Sequence, residues 1–162
     1  MVWAMRTLLL LALLGGCTHP DPRAQEAPEY VSRLEPLLYE NGFLAQNVLT
    51  TAATVYNDGT ATPKVQKAWD DDIVPLARHL ADQAKVTTAP SEWADRHGEL
   101  TDAWSMRADA YQSIEVAVED GEKDDWKAAR RKADDAKLHE EEWFRSMNKD
   151  LAPLGRMLDQ FP

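Results

Sequence analysis

The sequence has little of what most often identifies a function. It has one cysteine, Cys17, so it contains no intramolecular disulfide and no Cys/His cluster with zinc spacing. Its 18 basic residues are outnumbered by 28 acidic ones, and a net charge of −10 argues against binding to the phosphate backbone of nucleic acids. The apolar run at residues 7–14 is far shorter than the roughly 20 residues needed to cross a bilayer. A length of 162 residues fits one domain.

The first 16 residues have the composition of a secretory signal peptide. Arg6 supplies the positive charge, residues 7–14 form the short apolar core, and the small residues Gly15 and Gly16 follow. We therefore expect residues 1–16 to be removed and to form no part of the folded domain.

Cys17, the residue that follows, identifies a more specific type of signal peptide. Leu14, Gly15, Gly16 and Cys17 together resemble the lipobox of bacterial lipoproteins. The resemblance implies that a peptidase cuts between Gly16 and Cys17, that the Cys17 thiol carries diacylglycerol, and that its new amine is acylated. Two or more acyl chains hold a protein stably on a lipid bilayer. Thr18, in place of the aspartate that often retains such proteins at the inner membrane, favours the outer membrane.

Residues 17–29 predict a flexible tether behind this anchor. Pro20, Pro22 and Pro28 fall in this segment, and it has no large apolar side chain. Twelve extended residues at about 3.1 Å each would lift the following domain roughly 35–40 Å from the lipid.

From residue 32 onward, apolar residues recur at alternating steps of three and four, which predicts packed helices. We call the apolar stripe that this spacing places on the core side of each helix its seam. Ser32 and Glu35 are spaced as in a capping box and predict the start of a first helix, with Pro36 in its first turn. We expect this helix to stop at residues 57–59.

A second helix is predicted from Thr62 as N-cap and Pro63 as first helical residue. Pro75 lies inside it and is expected to kink it. Residues 87–90 then separate it from a third helix, whose seam runs from Trp93 to Val118.

A fourth helix follows the turn at residues 120–121, with Asp124 or Asp125 as its cap, and a short helix is predicted from residue 150. We find no convincing strand pattern. Because connections of about five residues force neighbouring helices to be antiparallel, the predicted fold is all-α. It is an antiparallel, up-down-up-down four-helix bundle over residues 30–162, with a short C-terminal helix.

Pairing the third and fourth helices about Gly121 places His97 opposite Met147. Cytochromes of the b-562 type hold haem in a four-helix bundle with one Met and one His, so these two residues are the haem-type candidates. The alternative, which we prefer, is a packed and hydrogen-bonded His97 with Met147 as filler.

The same pairing brings Arg107 and Glu140 within a turn of each other on the core side, where they are expected either to form an ion pair or to extend outward. The acidic runs at residues 70–72 and 140–142 are interpreted as solvated faces, because successive helical residues point about 100° apart. We assign no metal ligands, no catalytic residues and no cofactor beyond the lipid on Cys17.

Most tryptophans fall at seam positions and are expected in the core, whereas Tyr39 and Tyr56 lie off the strict seam and are candidate partner contacts. The function predicted is that of a lipid-anchored, non-enzymatic interaction module of the cell envelope, most consistent with an accessory of an outer-membrane secretion, adhesion or motility assembly. Its expected partners are the lipid bilayer and an envelope protein. The alternative is a bundle that binds haem, a metal or an apolar small molecule.

Overall fold

The computed structural model describes residues 21–159, and all regular structure in this part of the chain is helical. The α-helices are α1 (Pro22–Thr50), α2 (Ala53–Asp58), α3 (Pro63–Ala68), α4 (Val74–Val86), α5 (Ala94–Asp120) and α6 (Lys123–Leu151). A π-helical turn, Trp69–Ile73, joins α3 to α4. One 3-10 turn, Ser91–Trp93, precedes α5, and another, Ala152–Leu154, follows α6. The predicted all-α class is confirmed.

One hydrophobic core runs through the helices. Helices α5 and α6 have the most extensive contacts, α4 packs next to α5, and α1 packs against α4. Large aromatic side chains dominate the core, and four tryptophans are almost completely buried: Trp69, Trp93, Trp104 and Trp143. The prediction that seam tryptophans belong to the core is therefore confirmed for these four.

The predicted tether is wrong for residues 22–29, because α1 begins at Pro22. The Asp21 carboxylate caps this helix by accepting a hydrogen bond of 3.0 Å from the Arg23 backbone N–H, and Pro22 occupies a first-turn position where a missing N–H costs little. Ala27 is fully buried. A segment without large apolar residues can therefore still pack, because alanine fills a close helix contact.

The capping box predicted at Ser32 and Glu35 is wrong for the same reason, since both residues lie inside α1. The helix also ends earlier than expected, at Thr50, and resumes as the short α2. Thr50 bonds its hydroxyl to the Gln46 carbonyl at 2.8 Å. Threonines at 50 and 51 are poor helix formers that compete for backbone groups in this way.

The predicted start of the second helix is confirmed. Thr62 has extended backbone, and its hydroxyl accepts a hydrogen bond of 3.3 Å from the Val65 N–H. Further along, the structure accommodates Pro75 through the π-helical turn that precedes it. Proline lacks the N–H that an unbroken α-helix needs, so a wider turn at this point relieves the mismatch.

Two predictions about the last helices are wrong. The N-cap of α6 is Glu122, which makes no side-chain capping bond, and Asp124 and Asp125 lie in the first turn, where their charge still favours the helix dipole. The short C-terminal helix is a single 3-10 turn that ends at Gly155 in the left-handed conformation. The chain then returns to α6, where the Asn148 side chain bonds both the N–H and the carbonyl of Leu158.

Gly59 ends α2 in the left-handed conformation, with φ of 65°, and lies directly against the indole ring of Trp126. The Trp126 Nε1–H donates a hydrogen bond of 2.9 Å to the Val55 carbonyl in the same helix. This contact holds α2 against the start of α6. A Cβ atom at position 59 would lie only 2.7 Å from the ring.

We therefore predict that Gly59→Ala destabilises the protein by about 2–5 kcal/mol, combining the backbone strain of alanine at positive φ with overpacking against Trp126. Gly121→Ala is the matched control, because Gly121 has φ of 72° but no atom within 4 Å of an added Cβ. It should cost only the strain, about 1–2 kcal/mol. Chemical denaturation of both variants checks this, and equal losses would show that the Trp126 contact is unimportant.

Candidate functional site

A closed ring of hydrogen bonds joins three helices in the middle of the domain. The Arg107 Nη1–H of α5 donates to Glu140 Oε2 of α6 at 2.7 Å, and its Nη2–H donates to Asn41 Oδ1 of α1 at 2.5 Å. Asn41 Nδ2 completes the ring by donating to Glu140 Oε1 at 2.5 Å. Arg107 and Glu140 are 6% and 7% exposed, so the pair is buried. The predicted ion pair is confirmed, and the interpretation of Glu140 as part of a solvated run is wrong.

Asn41 is the member that the sequence analysis missed. It occupies a seam position of α1 between Leu38 and Ala45, where an amide among apolar neighbours was the available signal. Its amide oxygen accepts a hydrogen bond from the arginine, and its amide N–H donates one to the carboxylate, so each charged group gains a further hydrogen-bond partner. We call Asn41, Arg107 and Glu140 the polar triad.

A groove of about 380 Å³ lies over the polar triad, between α1 and α6. Its walls are mainly apolar, with Leu38, Leu44 and Phe144 among them, while Lys137 and Glu141 provide charged groups. Arg107 also lies over the Trp104 ring, 5.7 Å from its centre. The buried Arg107 Nε–H and Trp104 Nε1–H have no hydrogen-bond partner in the part of the chain that the structure describes. Arg107 lines this groove and has one unused donor, and apolar walls with a few polar groups are typical of small ligand sites.

His97, the predicted haem-type candidate, uses both ring nitrogens within the protein. Nε2 lies 2.8 Å from the Ala84 carbonyl, which only accepts, so Nε2 carries the proton. Nδ1 then accepts from the Tyr30 hydroxyl at 3.0 Å, and burial raises the pKa of Tyr30, which keeps this donor protonated. Met147 is fully buried. In this arrangement His97 has no free nitrogen for a metal, and it joins α1, α4 and α5.

We predict that Tyr30→Phe destabilises the protein by about 1–3 kcal/mol, because the buried Nδ1 acceptor loses its donor. Tyr56→Phe is the comparison: the Tyr56 hydroxyl donates to Asp134 at 2.8 Å, but that carboxylate side chain is 45% exposed and can bind water instead. Its loss should be about 0.5–1 kcal/mol. Thermal and urea unfolding measure both, and a larger loss for Tyr56→Phe would contradict the roles assigned.

The two predicted contact tyrosines have different environments. Tyr56 is partly buried; its ring lies under the Arg130 guanidinium at 4.2 Å and meets Tyr111 edge-on at 6.0 Å. The structure therefore uses Tyr56 mainly to hold α2 on α5 and α6. Tyr39 is 66% exposed, and Phe43, one turn further along the same face of α1, is 58% exposed.

Two further features of residues 21–159 bear on function. No group of three or more His, Cys, Asp or Glu side chains there is placed to hold a metal ion. None of the helices in this range is both long and apolar enough to span a bilayer. Gly16 and Cys17, the predicted cleavage and lipidation residues, lie outside the described residues.

Comparison with protein-family models, with curated proteins and with solved structures gives no match.

Proposed function

We propose that the protein is a bacterial lipoprotein, anchored by acyl chains on Cys17, whose helical domain is a non-enzymatic interaction module of the cell envelope. The observation that carries the proposal is the lipobox at residues 14–17, in which the only cysteine of the chain occupies the position that is lipidated. Thr18 at the next position favours the outer membrane. Signal peptide and anchor together account for an exported domain that needs no membrane-spanning helix.

The outer face of α1 is the proposed contact surface for an envelope protein. Tyr39 and Phe43 are both more than half exposed on this face, and aromatic side chains are common at the centres of protein interfaces. By analogy with other small helical lipoproteins, the partner belongs to an outer-membrane assembly for secretion, adhesion or motility.

An antiparallel four-helix arrangement of the long segments is part of this proposal. The ion pair of Arg96 with Asp150 at 3.7 Å joins the start of α5 to the end of α6, and that of Arg107 with Glu140 joins the middle parts of the two helices. The short connection after α5 also favours reversal of direction. A rigid arrangement of this kind would present the outer face of α1 in a fixed orientation.

The contact surface can be tested by photo-crosslinking in living cells. A photoreactive phenylalanine analogue at position 43 should capture a defined envelope protein, and the same analogue at position 116 should not. Val116 is a suitable control because it is 49% exposed and lies on α5, towards its C-terminal end. Equal crosslinking from both positions, or none from position 43, would contradict the proposed surface.

The second candidate function is ligand binding in the groove over the polar triad. The unpartnered Nε–H of Arg107 favours it, because Arg107 lines the groove and would suit an apolar molecule that carries a hydrogen-bond acceptor. Protein isolated from membranes would then carry a small molecule detectable by mass spectrometry. Ala45→Trp, which fills the groove, should lose that molecule, and identical spectra from both proteins would exclude this function.

A further inference from the structure

One end of the domain gathers the start of α1 with two other parts of the chain. We call this the anchor-side end and define it as residues 21–30, 86–93 and 150–158. Tyr30 of α1 contacts His97 of α5 through the hydrogen bond described above and stacks on Trp93, with ring centres 5.6 Å apart. Arg96 of α5 lies 3.7 Å from Asp150 of α6. The end of α4, the start of α5 and the end of α6 therefore surround the beginning of α1.

The chain length between anchor and helix limits how far this end can lie from the lipid. Cys17 and Asp21, the N-cap of α1, are separated by four residue steps, which span at most about 14 Å. The headgroup layer on each side of a bilayer is about 5–8 Å thick. The start of α1 is consequently held within about 10 Å of the headgroup surface, not at the 35–40 Å expected from a fully extended tether.

Two large apolar side chains are exposed at the same end. Val86, the last residue of α4, is 73% exposed, and Met157 is 66% exposed. Met157 is held in place because the next residue, Leu158, is buried and bonded to Asn148. Exposed apolar side chains beside a lipid attachment point suit the boundary between headgroups and acyl chains.

The charge of the chain also bears on its orientation. The anchor-side end has five acidic side chains against two basic ones, so charge does not attract it to an anionic lipid surface, and its contact with lipid depends on the acyl anchor and the exposed apolar side chains. Contact through the end also leaves Tyr39 and Phe43, which lie further along α1, accessible to a protein partner.

We propose that the anchor-side end rests on the lipid headgroups, with Val86 and Met157 in the interfacial layer and the helices extending away from the membrane. This inference rests on the proposed lipid anchor at Cys17. It adds a second, non-covalent contact with the bilayer and fixes which end of the domain faces it.

Site-specific fluorescence on the full, lipidated protein tests the orientation. Val86→Cys and Met157→Cys would each be labelled with an environment-sensitive fluorophore, since Cys17 is itself acylated in the proposal. Val116→Cys is the matched control, because residue 116 lies 19 positions after His97, or about 28 Å along α5. Fluorophore emission from labelled Phe43→Cys reports contact between the lipid and the long side of the domain that α1 forms. The proteins would be placed in vesicles of phosphatidylethanolamine and phosphatidylglycerol, with or without lipid that carries a quencher near its headgroup.

Quencher lipid should roughly halve the emission from positions 86 and 157 and leave positions 116 and 43 unchanged. If the protein stays with the vesicles but positions 86 and 157 are not quenched, or position 43 is quenched instead, the orientation is wrong while the anchor stands. If the protein does not stay with the vesicles, the anchor fails, and the orientation fails with it.

Discussion

Replacing Glu140 with alanine should destabilise the protein by about 3–5 kcal/mol, because Arg107 is then left charged, buried and without its carboxylate partner. For a domain of this size each kcal/mol corresponds to about 2–4 °C in Tm, so the melting temperature should fall by roughly 6–20 °C. Thermal and urea unfolding, followed by circular dichroism, measure the loss. Leu138→Ala on the same helix is the control, because that side chain is 57% exposed and its removal should cost less than about 0.5 kcal/mol.

The same experiment can separate the cost of breaking the polar triad from its net contribution. Replacing all three members with apolar residues, as in Asn41→Leu with Arg107→Met and Glu140→Leu, removes every buried charge at once. This variant should be within about 1–2 kcal/mol of the parent or more stable than it. A loss as large as that of Glu140→Ala would show that the triad contributes to stability itself, contrary to our account.

The second large effect is expected at Cys17. Cys17→Ala removes the acceptor of the diacylglyceryl group, and without acyl chains, each worth about 0.8 kcal/mol per buried CH₂, the protein should move almost entirely from the membrane fraction to the soluble fraction. Fractionation of cells and immunoblotting measure this. The soluble variant should keep the helical circular-dichroism spectrum, because α1–α6 all lie beyond residue 21.

Thr18→Asp is the matched control for the anchor. It keeps the cysteine and should remain bound to membranes, with a shift from the outer to the inner membrane if the sorting residue acts as it does in other lipoproteins. If Cys17→Ala remains bound to membranes to the same extent as the parent, the anchor is not at Cys17.

The helix predictions were most accurate where a local capping or turn signal coincided with the end of a periodic run of apolar residues. Thr62 with Pro63 marked a true helix start, and Gly59 and Gly121 both adopt the left-handed conformation that ends a helix. The pairing of α5 with α6 was close enough to predict the contact of Arg107 with Glu140. These features depend on turn chemistry and periodicity, which are properties of the sequence itself.

Predictions failed where packing across the domain overruled local signals. Pro28 and Pro36 lie inside α1, where Ala27 and Tyr30 are buried and extend the spacing of Leu34 and Leu38 towards the N-terminus, but the prolines before residue 30 were interpreted as marks of a tether. The C-terminal segment is fixed by Asn148, ten residues from its partner Leu158. The polar triad was found only in part, because the seam pattern does not say how α1 is aligned with α5 and α6.

The central claim is the lipid on Cys17, and mass spectrometry of protein isolated from membranes tests it most directly. We predict that the mature chain begins at Cys17 and that its N-terminal peptide carries the mass of a diacylglyceryl group, with or without a further acyl chain on the amine. An N-terminal peptide that contains unmodified Cys17, or a chain that begins at another residue, would contradict the account.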